Sequence, residues 1–77
     1  MQAELYGTEW CGFCRRAKAL LKARGVPFTE YVVGEDVSEA DLAERIGAPA
    51  KTVPQIFIDG EHVGGYTELA ARLGVAG

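Results

Sequence analysis

Both cysteines of this 77-residue chain, Cys11 and Cys14, lie in the stretch TEWCGFCRRAK, residues 8 to 18. Two thiols at this spacing admit three chemistries: a structural staple, half of a metal site, or a reactive centre. A Cys11–Cys14 staple would close a loop of only four residues. Chain entropy then contributes roughly 2 kcal/mol, less than a long-range bridge. Zinc takes four ligands, and the only further soft ligand is His62, which reads instead as an ordinary strand residue. The redox reading has a mechanism behind it. Cys11 is placed where a strand turns into a helix, so its sulfur meets unpaired backbone N–H groups at the positive end of the helix dipole. That environment favours the thiolate, which is the species that attacks a disulfide. Cys14, three residues on along the same helical face, is placed to attack the resulting mixed disulfide and release reduced product.

The elements that must hold this pair belong to one expected domain, residues 1–77. A chain this short buries roughly 60% of its unfolded surface and folds alone with little margin. Apolar residues make up 48% and charged residues 25%, a globular composition with no linker, repeat or low-complexity segment. The net charge of −3 gives no help toward nucleic acid, which needs clustered cations. Met1–Glu4 carries no basic and apolar leader pattern, and no apolar run approaches the ~20 residues of a membrane span. Two closely spaced cysteines do not resemble a secreted disulfide framework. The expectation is a soluble cytoplasmic protein without membrane or nucleic-acid partners.

Leu5-Tyr6 reads as a short strand stopping at Gly7. From Phe13 to Arg24 the pattern is helical, with Phe13, Ala17, Leu20 and Leu21 as one apolar stripe. Arg15, Arg16, Lys18, Lys22 and Arg24 occupy the remaining faces, five of the chain's eight cations, a solvated face that also complements the helix dipole. Gly25 and Pro27 end this helix. Phe28–Val33 reads as a second strand. Ser38 is an N-cap with Asp41 three residues on, and Val37 can staple to Leu42. Leu42, Ala43 and Ile46 form the buried side of that helix, and Gly47 with Pro49 ends it. Gln55–Ile58 and His62-Val63 flank an Asp59-Gly60-Glu61 turn, a hairpin signal. Gly64-Gly65 breaks the strand, and Tyr66–Leu73 makes a last helix with Leu69, Ala70 and Leu73 inward. The order β-α-β-α-β-β-α predicts parallel first strands, an antiparallel hairpin, and a four-stranded mixed sheet with helices on both faces.

Three stretches in order, CGFCRRAKALL, TVPQIFIDG and GGYTEL, resemble the glutaredoxins of the thioredoxin-fold superfamily over nearly the whole chain. The resemblance implies a monomeric thiol–disulfide oxidoreductase that takes glutathione as electron donor and needs no bound cofactor. Its substrates would be protein disulfides and glutathione mixed disulfides, with Cys11 as nucleophile and Cys14 as resolving thiol. It further implies a cis Val53–Pro54 bond in a Thr52-Val53-Pro54 loop opposite Cys11. The Val53 backbone would pair with the cysteinyl unit of glutathione, and the Gly65-Tyr66-Thr67-Glu68 turn would receive its γ-glutamyl end. Phe13 and Tyr66 would line the apolar rim.

The chain departs from the family pattern in several places. Thr8, with Glu9 beside it, stands where a lysine usually helps hold the glycyl carboxylate. Glu39 falls at a position usually Gln or Arg, for which Lys51 is a substitute. Gly12-Phe13 replaces the usual Pro-Tyr and matches monothiol members that carry iron–sulfur clusters, though these have serine where this chain has Cys14. Two alternatives stay open: a dimer holding a [2Fe–2S] cluster through Cys11 and glutathione, and recycling by thioredoxin reductase. Trp10-Cys11-Gly12 is similar to thioredoxin, with Trp10 read first as a partly buried wall beside the sulfur and second as a docking surface.

Overall fold

The computed structural model describes residues 1–74. In chain order the elements are β1 (Ala3–Gly7), α1 (Gly12–Ala23), β2 (Phe28–Val32), α2 (Glu39–Ile46), β3 (Gln55–Ile58), β4 (Glu61–Gly64) and α3 (Tyr66–Arg72). The strands lie in the order β2-β1-β3-β4. β1 runs parallel to β2, from Ala3 opposite Phe28 to Gly7 opposite Val32. It runs antiparallel to β3, with Leu5 opposite Ile56 and Tyr6 opposite Gln55, and β3–β4 is an antiparallel hairpin. Asp59 and Gly60 both take positive φ, 50° and 83°, the backbone that a two-residue turn between twisted strands requires.

Strand alternation sorts the sheet into two cores. Ala3, Leu5, Ile56 and Ile58 face α1 and α3 and pack with Cys14, Ala17, Leu21 and Leu69. Tyr6 and Phe57 face the other way and pack with Leu42 of α2. There Arg45 pairs through both terminal nitrogens with the Glu4 carboxylate (2.6 and 2.7 Å), donates to the Tyr6 hydroxyl, and lies 4.1 Å over the Phe57 ring. The hydrogen bonds from Arg45 hold the Glu4 carboxyl below the usual range. This pair fastens α2 across the sheet.

α2 follows its sequence signals closely. The Ser38 hydroxyl accepts from the Asp41 N–H at 3.0 Å and the Asp41 carboxylate accepts in return from the Ser38 N–H, closing the capping box. Two expectations are corrected. The inward stripe of α1 is Cys14, Ala17 and Leu21, with Leu20 half-buried, whereas Phe13 is 54% exposed. α1 turns its Cys14 side onto β1, and at about 100° per residue Phe13 swings out to the side. β2 ends at Val32 rather than Val33: the Val33 N–H still donates to the Gly7 carbonyl at 2.9 Å, but the Glu35 and Asp36 N–H groups close a turn on the Val32 carbonyl at 3.1 and 2.8 Å.

Candidate functional site

Cys11 is the N-cap of α1, extended at φ −91° and ψ 114°, and its sulfur accepts a hydrogen bond from the Cys14 N–H at 3.1 Å. The sulfur thus occupies the place of a capping oxygen and satisfies one of the N–H groups that a helix start leaves unpaired. From the same position the Cys11 thiol donates to the Val53 carbonyl at 3.6 Å. These partners are 42 positions apart in the sequence. The Val53–Pro54 peptide is cis, as the family resemblance implies, and Pro54 is buried.

Cys14 lies beneath, 1% exposed. Burial, followed by the neighbouring Cys11 thiol, pushes its pKa from 9.0 up to about 12, while the Thr8 backbone works in the opposite direction. The fit is close because of Gly7: a Cβ at that position would stand 2.5 Å from the Cys14 sulfur. The Cys14 proton has a consequence for stability. An unfolded thiol releases its proton near about pH 8.5–9, whereas the folded chain keeps it to about 12. Above pH ~9 the unfolded state therefore binds fewer protons than the folded one, and stability falls as pH rises through that window. The slope is up to about 1.4 kcal/mol per pH unit. Denaturant midpoints under reducing conditions should fall more steeply above pH ~9 for the natural chain than for Cys14→Ser. Equal slopes would contradict the burial of a protonated thiol.

Two pockets share the Thr52-Val53 segment that faces the Cys11 sulfur. A cleft of about 190 Å³ is lined by Phe13, Thr52, Val53, Pro54, Gly65, Tyr66, Thr67 and Glu68. These eight are the residues that the resemblance assigns to glutathione contact, and they line one cleft. The other pocket, about 230 Å³, is lined by Thr8, Val33, Glu39, Leu42, Ala50, Lys51, Thr52 and Val53. Thr52 and Val53 border both, so a ligand bonded to the Cys11 sulfur has an apolar-rimmed groove on one side and a mixed-charge groove on the other. At the α3 end the Glu68 carboxylate accepts from the Gly65 N–H at 3.2 Å, which leaves the Tyr66, Thr67 and Glu68 N–H groups of the first turn. Phe13 and Tyr66 face each other across the cleft with ring centroids 6.3 Å apart.

The reading of Trp10 as a buried wall does not hold. Trp10 is 87% exposed, because the turn before α1 carries it outward while Cys11 faces the Val53 loop. Two residues at the site escaped the sequence reading. One is Gly7, whose role depends on what packs over it. The other is Gln55, a buried polar residue of the core. Its amide N–H donates to the Thr52 carbonyl at 2.8 Å, and its oxygen is 2.8 Å from Nε2 of His62. His62 is a strand residue as expected, and through Gln55 it braces the loop opposite Cys11. A polar residue opening the apolar run QIFI was the available signal. Among the described residues no group of three or more His, Cys, Asp or Glu converges on a point, and no helix is long and apolar enough to cross a membrane.

The site is a half-buried thiol capping a helix start, a buried partner thiol and an opposing cis-proline loop. The Glutaredoxin family model matches residues 3–63. The chain belongs to the glutaredoxin family. Glutaredoxin 3 of Escherichia coli (strain K12) is 45% identical over 69 residues, covering 88% of this chain and 81% of that one. The solved structure of reduced Escherichia coli glutaredoxin superposes with a TM-score of 0.81 at 36% identity, covering 96% and 94% of the two chains. The buckwheat glutaredoxin–glutathione complex gives a TM-score of 0.75 at 28% identity, with 94% of this chain and 69% of that one covered. Glutaredoxins are thiol–disulfide oxidoreductases that use glutathione as reductant, and this chain shares their thioredoxin-like fold and enzyme class.

Proposed function

We propose that this glutaredoxin acts as a single-domain cytoplasmic monomer that reduces glutathione mixed disulfides and protein disulfides, drawing electrons from glutathione. The observation that carries the proposal is the placement of the Cys11 sulfur, hydrogen-bonded by the Cys14 N–H and facing the Val53 carbonyl where the two pockets meet. Glutathione is an extended peptide with its thiol in the middle. Seated along Val53, it would run one end toward Gly65, Tyr66, Thr67 and Glu68 and the other toward Thr8, Glu39 and Lys51.

In the glutathione reaction, the Cys11 thiolate attacks the glutathionyl sulfur of the mixed disulfide. The substrate leaves as a thiolate and takes up a proton. A second glutathione thiolate then attacks the same glutathionyl sulfur, which releases glutathione disulfide and restores the Cys11 thiolate. With a protein disulfide, Cys11 bonds to one substrate sulfur and the other leaves. Cys14 then loses its proton and attacks Cys11, which frees the second substrate thiolate and leaves a Cys11–Cys14 disulfide. Two glutathione molecules reduce that bond. Bonding of Cys11 removes the second of the two influences that hold the Cys14 proton, which favours attack at that moment.

The test is NADPH oxidation in a coupled assay. Turnover is expected with glutathione and its reductase, and only background with thioredoxin reductase as sole donor. The opposite ranking would overturn the choice of donor. Position 8 probes the second groove. Thr8→Lys should add a cation to the pocket that Glu39 and Lys51 line, and lower the KM for glutathione by about two- to fivefold at low salt. The gain should vanish near ~1 M salt. An unchanged KM at both ionic strengths would mean that the glycyl carboxylate lies elsewhere.

A further inference from the structure

Among the described residues three large apolar side chains are exposed: Met1, Trp10 and Phe13. Met1 lies at the far end, beside Arg24 and Pro27. Trp10 and Phe13 flank Cys11 on either side in the sequence. Phe13 lines the cleft beside Cys11, yet it also walls a shallow niche of about 250 Å³ on its other side, completed by Gly12 and Arg16. Trp10 and this niche lie outside the groove proposed for glutathione, so a tripeptide seated along Val53 leaves them uncovered. Apolar surface gathered around a reactive sulfur and left over by the small substrate marks contact with a larger one.

The charge at the niche says what kind. The Arg16 guanidinium lies 5.5 Å from the Phe13 ring centroid and forms no ion pair among the described residues. Its planar edge is free to hold a carboxylate through two N–H donors. A partner that covers Arg16 without supplying an acceptor leaves a desolvated cation, and one that supplies a carboxylate removes that penalty. Arg15 adds a second positive charge to the exposed helix start, against the single carboxylate of Glu9 on the preceding turn. Gly12 leaves open space above the backbone, so a chain crossing Phe13 can lie close.

We propose that Trp10, Gly12, Phe13 and Arg16 form a docking face for a cystine-bearing polypeptide segment with an acidic side chain next to its reacting cysteine. Arg16 reads that side chain, and Trp10 supplies apolar contact to the segment. The inference rests on the disulfide chemistry proposed above and adds the class of protein substrate.

Matched cystine peptides, with glutamate, glutamine or lysine beside one cysteine, test it. They are compared with a small glutathione mixed disulfide, using the natural chain, Arg16→Glu and Trp10→Ser. The natural chain should reduce the glutamate peptide with a kcat/KM about fivefold above the lysine peptide at low ionic strength, the ratio approaching one near ~1 M salt. Arg16→Glu should reverse the order. Trp10→Ser should lower kcat/KM severalfold for all three peptides, and neither variant should alter turnover of the glutathione substrate. Equal rates for the three peptides, or a ratio indifferent to Arg16→Glu, would overturn the proposal. So would a dimer that Trp10→Ser dissociates, which would make the face a self-interface. Acidic preference in a chain that fails to turn over the glutathione substrate would support the docking face and refute the glutathione reading alone.

Discussion

Cys11→Ser should lose all thiol–disulfide exchange, a fall of at least about 10³-fold in turnover of any disulfide, because it removes the attacking sulfur. Cys14→Ser should behave differently with the two substrate classes. Glutathione mixed disulfides need no second protein thiol, since a second glutathione resolves the intermediate, and their turnover should persist. Reduction of protein disulfides by the dithiol route should drop about tenfold or more, with a covalent Cys11–substrate adduct accumulating. The asymmetry follows from position: Cys11 is half-buried and faces the Val53 carbonyl, whereas Cys14 is buried and holds its proton to about pH 12. Turnover of both substrates by each variant, with mass spectrometry of trapped adducts, checks the assignment. An active Cys11→Ser protein or an inert Cys14→Ser protein would reverse it.

Gly7→Ala should be the most damaging single-methyl change at the site. The added Cβ would meet the Cys14 sulfur at 2.5 Å, its Cβ at 3.2 Å and a Leu5 methyl at 3.4 Å. None of these neighbours can swing away, because Cys14 and Leu5 are both buried in the α1-facing core. Overpacking of this kind costs about 1–3 kcal/mol. In a chain of this size that lowers Tm by roughly 4–8 °C per kcal/mol. The clash is specific, so it can be relieved from the other side. Combining Gly7→Ala with Cys14→Ala should recover most of the lost stability, a coupling that thermal melts of the four proteins would measure. Purely additive losses would mean that α1 does not rest on β1 through this contact. The displaced Cys14 should also slow protein-disulfide reduction more than glutathione turnover.

The sequence by itself determined the features whose causes are local. The Ser38–Asp41 capping box, the Asp59-Gly60 turn, the Gly25-Pro27 stop and the two-residue spacing of the cysteines each involve residues a few positions apart, so a short window holds the whole cause. Element order and strand directions followed from these, because a short strand–helix–strand crossover has one accessible hand. The gathering of the cleft residues was legible only through resemblance to a family, since no local rule brings Val53 to Cys11. Tertiary structure alone decided which side of α1 is inward. A stripe containing Phe13 and one containing Cys14 both satisfy helical periodicity, and the register of α1 over Gly7 selects Cys14 and turns Phe13 and Trp10 out to solvent. It also decided the use of Gln55, whose partners Thr52 and His62 come from the loop before it and the strand beside it. The grouping of Thr8, Glu39 and Lys51 around one pocket has the same origin. Thr8 follows β1, Glu39 opens α2 and Lys51 lies in the loop between α2 and β3, and only the packing of these segments on one sheet fixes the distance between them.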